Sequence, residues 1–89
     1  MRAIITVMGM DRTGIIAKVS NCLYENQINI LDINQTIMQD IFTMIMLVEM
    51  SEDGDKTAFV TEKLEEIGKE IGVDIRLQNE EIFHSMHRI

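Results

Sequence analysis

The alternation of two hydrophobic periodicities limits the fold of this chain more than any other feature of its sequence. Apolar residues alternate with a period of two in four segments, and they recur at helical spacing in two segments between them. The resulting order is strand, helix, strand, strand, helix, strand. This order predicts two strand–helix–strand units joined by a hairpin.

The first unit begins with a β-branched run at residues 3–8, which predicts the first strand. Residues 9–14 have the composition of a loop, because glycines stand at both ends of a polar stretch. A helix follows, since apolar side chains recur there three and four positions apart. Asp11 and Thr13 both have side chains that can cap its start, and Asn26 fits its C-terminal end.

The middle of the chain predicts a β-hairpin. Residues 28–39 form the second predicted strand, in which apolar and polar residues alternate as in a sheet with one wetter face. A tight turn at residues 39–40 leads into the third strand at residues 41–50, which is apolar on both faces. One of these faces carries Phe42, Met44, Met46, Val48 and Met50, and the other carries Ile45 and Leu47.

The second unit starts after a loop at residues 51–55, in which Asp55 is the predicted helix N-cap. The apolar stripe of this helix runs up to Gly72, which is placed to end it. Residues 73–78 alternate as a fourth strand. Residues 80–89 then carry apolar side chains at helical spacing, which predicts a short amphipathic tail.

These elements predict an α+β fold with the ferredoxin-like βαββαβ arrangement. In it, a four-stranded antiparallel sheet carries both helices on one face, and a short C-terminal tail follows. We expect one domain at residues 1–79 and a tail at residues 80–89 that packs on the domain or on a dimer partner. No linker composition divides the chain further.

The third strand also predicts self-association. Two helices cover only one face of the sheet, so one apolar face of this strand is left without cover, and such faces mark interaction surfaces. We therefore expect a homodimer in which two sheets pair side by side or pack by their open faces. Met46 is expected on the uncovered face, so that Met46→Glu should yield monomers.

Charge and composition exclude several classes of protein. The 89 residues include 8 basic and 15 acidic side chains, a net charge of −7 that argues against binding to a nucleic acid backbone. No apolar run is long enough to span a membrane, and the N-terminus has no signal-peptide pattern. We therefore expect no membrane partner. Cys22 is the one cysteine and cannot form a disulfide within the chain, so we expect the reducing environment of the cytoplasm.

The loop before the first helix is the main candidate for a ligand-binding site. The backbone N–H groups at Gly14 and Ile15 can receive a small anion such as a carboxylate, because the first turn of a helix leaves its N–H groups unpaired. Asp11 can meet an ammonium group nearby. Together these groups suit an α-amino acid. The alternative is an ordinary strand-to-helix turn in which Asp11 or Thr13 only caps the helix.

The run Asp11-Arg12-Thr13-Gly14-Ile15 after a first strand, with Asn29-Ile30 opening the second, resembles an ACT domain. The element order matches over residues 1–79. The C-terminal ending resembles that of small stand-alone ACT proteins related to glycine-cleavage regulators. It runs Ile82-Phe83-His84-Ser85-Met86-His87-Arg88-Ile89.

The resemblance implies a regulatory module that binds an amino acid between paired domains and acts on a partner protein. It implies a ligand site made of Asp11, Thr13, Gly14 and Ile15, completed by Asn29 of the neighbouring chain. In that site, Asp11 would hold the ligand's amino group. The alternative that stays open is a constitutive association module that binds no ligand.

Other residue groups carry weaker signals. His84 and His87 have a metal-compatible spacing but no clear third ligand, so we expect no metal and no cofactor. A methionine cluster at Met38, Met44, Met46 and Met50 is expected to serve packing. Acylphosphatases share the predicted topology, but the loop around Arg12 lacks their signature, so we expect no enzyme. An RNA-binding module of this topology would need basic and aromatic residues on the sheet. The second strand carries Asp32 and Asn34 and the net charge is −7, so we expect no nucleic acid partner.

Overall fold

A computed structural model describes residues 1–86, which form four strands and three helices in the order βαββαβα. The predicted element order and the ferredoxin-like arrangement are confirmed. The last three residues of the predicted tail, including His87, lie outside the described residues. The strands are β1 (Arg2–Met10), β2 (Asn29–Met38), β3 (Ile41–Glu49) and β4 (Val73–Asn79), and the helices are α1 (Ile15–Glu25), α2 (Gly54–Ile71) and α3 (Glu80–Met86).

The four strands form one antiparallel sheet in the order β2-β3-β1-β4. The N-terminal strand therefore lies in the centre, hydrogen-bonded to β3 on one side and to the last strand on the other. β2 and β4 are the two edges. In β1, alternate residues point to opposite faces, so Ile5 faces the helices while Ile4 and Thr6 face the open side.

The hydrophobic core lies between the helix-covered face of the sheet and helices α1 and α2. Side chains that are almost fully buried come from both central strands and from both helices. Burial of this kind is the main favourable term in the folding of a domain of this size. The largest of these side chains belong to Ile5, Val7, Ile15, Val19, Leu23, Met44, Met46, Val48, Val60 and Leu64.

The assignment of the two faces of β3 was wrong in the sequence-based prediction. Met46 lies opposite Ile5 on the helix-covered face and is only 1% exposed, so it belongs to the core and not to an open surface. Met44 and Met50 are buried with it, whereas Met38 is exposed on the edge strand. A strand that is apolar on both faces gives no signal of which face the helices cover. The uncovered face of β3 carries Ile45 instead.

The alternation in β2 predicted one wetter face, but in the single chain both faces of this strand are exposed. All ten residues of this strand are exposed. Ile33 and Ile37 lie opposite Met46 and Phe42, on the face that the helices cover elsewhere, yet they are 45% and 56% exposed. The helices pack over the rest of the sheet and leave the helix side of its β2 edge bare.

The ends of the elements differ from the prediction at three places. β1 continues through Gly9 and Met10, which pair with β3, so these residues are not part of the loop. Neither Asp11 nor Thr13 caps α1, because the N-cap is Gly14 and no side chain bonds to the first turn.

The second helix is capped by Asp53 and not by Asp55: the Asp53 carboxylate accepts a hydrogen bond of 2.9 Å from the Asp55 backbone N–H. The predicted ends at Asn26 and Gly72 are confirmed as the C-caps of α1 and α2.

We expect Gly68→Ala to destabilise the protein, although alanine is the better helix former by about 1 kcal/mol. A Cβ atom at Gly68 would lie 2.6 Å from the carbonyl oxygen of Val73, a backbone atom that cannot swing away. The net loss in the free energy of unfolding should be roughly 1–3 kcal/mol, measured by chemical denaturation. The matched control is Gly54→Ala in the same helix, where a Cβ would meet nothing within 4 Å. A stabilised Gly68→Ala variant would contradict the close approach of α2 to β4.

Candidate functional site

The loop at residues 11–14 is held from two sides at the end of β1. The Asp11 backbone N–H donates a 2.7 Å hydrogen bond to the carbonyl oxygen of Asp40, in the turn between β2 and β3. The Arg12 guanidinium donates through Nη1 to the carbonyl oxygen of Ile71, at 3.3 Å, at the C-terminal end of α2. The loop is therefore fixed between the β-hairpin turn and the end of a helix.

The start of α1 offers unpaired backbone N–H groups beside this loop. Gly14 adopts a φ of 97°, a left-handed conformation that other residues adopt only with strain, and its carbonyl oxygen accepts the first helical hydrogen bond from Lys18. The side chain of Ile15 is buried in the core, so Ile15 can offer a ligand only its backbone. The N–H groups of the first turn have no helical partner, and no acidic side chain lies in that turn.

Asp11 carries a carboxylate that is exposed to solvent. It makes no hydrogen bond or ion pair through this carboxylate with the rest of residues 1–86. Asp40 brings a second acidic side chain to the same end of the sheet, and both residues of its turn have positive φ values, 48° for Gln39 and 72° for Asp40. Thr13 is exposed as well and caps nothing. Asp11, Thr13, Gly14 and Ile15 thus lie close together because they belong to one stretch of five residues.

Asn29, by contrast, lies at the opposite end of the sheet in the same chain. It pairs with Glu49, which in turn pairs with Arg2 at the start of β1, while Asp11 follows the last residue of β1. The nine residues of β1 separate the two positions by roughly 30 Å at about 3.3 Å per residue. A single chain therefore cannot bring Asn29 to the loop.

The sequence analysis missed the exposed helix-side surface of β2. Ile30, Ile33 and Ile37 are all exposed on this surface. The apolar residues of β2 alternated as expected, but the alternation does not reveal whether a helix lies above them.

The remaining chemistry-bearing groups do not assemble into a site. Burial raises the pKa of the Cys22 thiol above its ordinary value, with a further contribution from the charge of Glu25, so this buried thiol is a poor nucleophile. His84 lies 3.8 Å from the Glu80 carboxylate on α3 and is exposed. Over the described part of the chain, no group of three potential metal ligands occurs. Among the helices of residues 1–86, none is both long and apolar enough to cross a membrane.

Comparison with known proteins agrees with this architecture. A family model for the ACT domain matches residues 2–78. A UPF0237 protein from Clostridium acetobutylicum is 55% identical over 89 residues, and the match covers 100% of both chains. This relative therefore has the same small size, with no additional domain in the alignment.

Two solved structures place the chain among ACT domains. An ACT domain protein from Streptococcus pneumoniae superposes with a TM-score of 0.79 at 38% identity, covering 93% of each chain. A candidate glycine cleavage system transcriptional repressor superposes with a TM-score of 0.75 at 25% identity, covering 86% of this chain but only 44% of the other. With the family model covering most of its length and a close relative covered in full, the chain belongs to the ACT domain family, a family of regulatory domains.

Proposed function

We propose that this protein is a regulatory module, and not an enzyme, that binds an amino acid at the interface of a homodimer. The observation that carries the proposal is the pairing of two features in one loop: the free carboxylate of Asp11 and the uncapped start of α1. An α-amino acid carries an ammonium and a carboxylate on one carbon. The first feature favours the ammonium, and the second favours the carboxylate.

The edge strand β2 supports the dimer. A long exposed edge strand is a ready template for pairing with another chain, and natural proteins guard such edges with charges. β2 has one charged residue in ten, Asp32, so few charges prevent it from pairing with another chain. The other edge, β4, carries Asp74 and Arg76 as an exposed ion pair with 3.2 Å between Oδ2 and Nε. We therefore assign pairing between chains to β2.

A symmetric pairing of this kind would complete the ligand site. A two-fold axis perpendicular to the sheet makes the two β2 strands antiparallel. The start of one β2, with Asn29, then lies beside the end of the other, which is Met38. That end leads directly into Asp40, whose carbonyl oxygen holds Asp11. The residue that is too distant within one chain thus approaches the loop of its partner.

The same geometry gives the protein a way to regulate. A ligand that bridges Asp11 of one chain and Asn29 of the other binds the dimer better than the monomer. By linkage, the ligand then strengthens the dimer by the same factor. A partner protein that recognises the dimer surface would respond to the ligand concentration. We place this activity in the cytoplasm, where a reduced Cys22 is stable.

We expect Asp11→Ala to abolish the stabilisation of the protein by its amino acid. A ligand at about 100 times its Kd adds about 2.7 kcal/mol of apparent stability, enough to raise Tm by several degrees in a domain of this size. The measurement is a thermal-shift screen of the common amino acids. The matched control is Glu62→Ala, which removes one exposed negative charge from α2, far from the loop. A ligand response that survives in Asp11→Ala would show that the ligand binds elsewhere.

The exposed β2 edge favours a second candidate function, constitutive association without a ligand. In that case no amino acid would shift Tm, in protein shown by native mass spectrometry to carry no bound small molecule. The dimer would still form, and Asp11→Ala would leave it intact. The two candidates therefore differ in the ligand response and not in the assembly.

A further inference from the structure

The face of the sheet that is not covered by α1 and α2 is itself half covered. Ile4 points to this open face and lies outside the main core, yet it is only 7% exposed. Helix α3 packs here against β1 and β4. An ion pair of 3.1 Å between Arg2 and Glu80 holds its first turn, and Gln78 Nε2 lies 3.5 Å from the sulfur of Met86 at its last turn.

The other half of the open face has no cover within residues 1–86. It contains a shallow depression of about 340 Å³ between the central strands and β4. Its floor is apolar or uncharged, and its rim is the ion pair between Asp74 and Arg76. The side chains on its floor belong to Thr6, Met8, Thr43 and Ile45.

Helix α3 exposes apolar side chains of the kind that would fill this depression. Ile82 and Met86, four residues apart, form one stripe along the helix and are 56% and 63% exposed. Phe83 is turned to a different side and is half-buried. The helix thus leaves an apolar stripe mostly in solvent, although the sulfur of Met86 also contacts Gln78 of its own chain.

We propose that the depression on the open face binds α3 of a second copy of this chain. A two-fold axis that crosses the strands at right angles places the Met8 end of one sheet opposite the Ile4 end of the other. Each α3 then lies between two sheets. It covers Ile4 of its own chain and fills the depression beside Met8 of its partner.

The charges near the depression are compatible with a second copy. The net charge of −7 opposes self-association in general, so two copies can join only through surfaces that carry few negative charges. The middle of the open face, from Thr6 to Met8 and from Thr43 to Leu47, has no charged side chain. At the rim, Arg76 can meet the exposed Glu81 in the first turn of the incoming helix.

This surface is separate from the β2 edge. The β2 edge joins chains side by side, whereas the open face joins them sheet to sheet. Because the two contacts use different residues, one chain can form both at once. Side-by-side dimers would then pair through their open faces into assemblies of four chains.

The test is a disulfide between two differently substituted chains. One chain carries Ile82→Cys and the other carries Met8→Cys, and they are mixed and oxidised; Cys22 is buried and stays unreactive. We expect a cross-linked pair that contains one of each chain. The matched control replaces Met8→Cys by Tyr24→Cys, an exposed position on the outer side of α1, and should give no cross-link above background. Absence of the mixed pair at Met8 overturns the proposal.

A second variant tests the same contact without new cysteines. Ile82→Ser with Met86→Ser changes only exposed side chains, so the fold should be retained in circular dichroism. Light scattering after size exclusion should show the largest assembly reduced to half its mass. An unchanged mass overturns the proposal. The β2 edge is not altered in this variant, so failure of the side-by-side dimer would be seen separately.

Discussion

Replacing Met46 with glutamate is expected to unfold the protein. Met46 is buried between the sheet and the helices, opposite Ile5, with no polar side chain buried in the described core to pair with a carboxylate. A carboxylate in such a site costs several kcal/mol, a large part of the roughly 5–15 kcal/mol by which domains are stable. Circular dichroism and urea denaturation measure the loss.

The control for this prediction is the neighbouring residue in the same strand. Ile45→Glu places the same charge on the open face, where the side chain is already 42% exposed. This variant should keep the spectrum of the folded protein. If Met46→Glu stayed folded and became a monomer instead, β3 would have to present Met46 on an open surface, and the face assignment would be reversed.

The double variant Ile33→Lys with Ile37→Lys is expected to break the side-by-side contact through β2 and to halve the mass of the assembly. Both side chains lie on the bare helix side of β2, so lysine is tolerated in the single chain. In the paired state, four ammonium groups would be brought close to the two-fold axis and partly removed from water, which is unfavourable. Sedimentation equilibrium should show half the mass of the parent assembly.

A matched control separates this effect from added charge. Tyr24→Lys also adds a positive charge to an exposed position, but it lies on the outer side of α1. It should leave the mass unchanged. A double variant of β2 that keeps the mass of the parent assembly would assign the side-by-side contact to another surface, and Asn29 would then not reach the loop of the partner in the proposed way.

The sequence predicted the order and type of the elements well, because hydrophobic period follows directly from which side chains are buried. It predicted the helix starts poorly. Asp11, Thr13 and Asp55 all have suitable side chains, but the position of a cap depends on the backbone path that the preceding loop takes. Gly14 and Asp53 are the observed caps.

The candidate site was predicted in part for a related reason. Residues within four positions of one another, such as Asp11 and Gly14, must lie close together in any fold. Their anchors come from distant parts of the chain, since the loop is tied to Asp40 and Ile71. No local sequence pattern predicts contacts between residues so far apart in the chain. The exposure of Ile33 was missed because it depends on where two helices sit and not on the strand itself.

The central place of β1 constrains the synthesis of this protein. β1 is made first, but one of its two neighbours, β4, is the last strand to leave the ribosome. Until then one side of β1 has open hydrogen-bonding groups, and the core lacks Val73 and Ile75. Contacts between distant parts of a chain also form slowly. The nascent protein must therefore keep its central strand half-paired until β4 has left the ribosome, and during this period a chaperone would find a binding surface there.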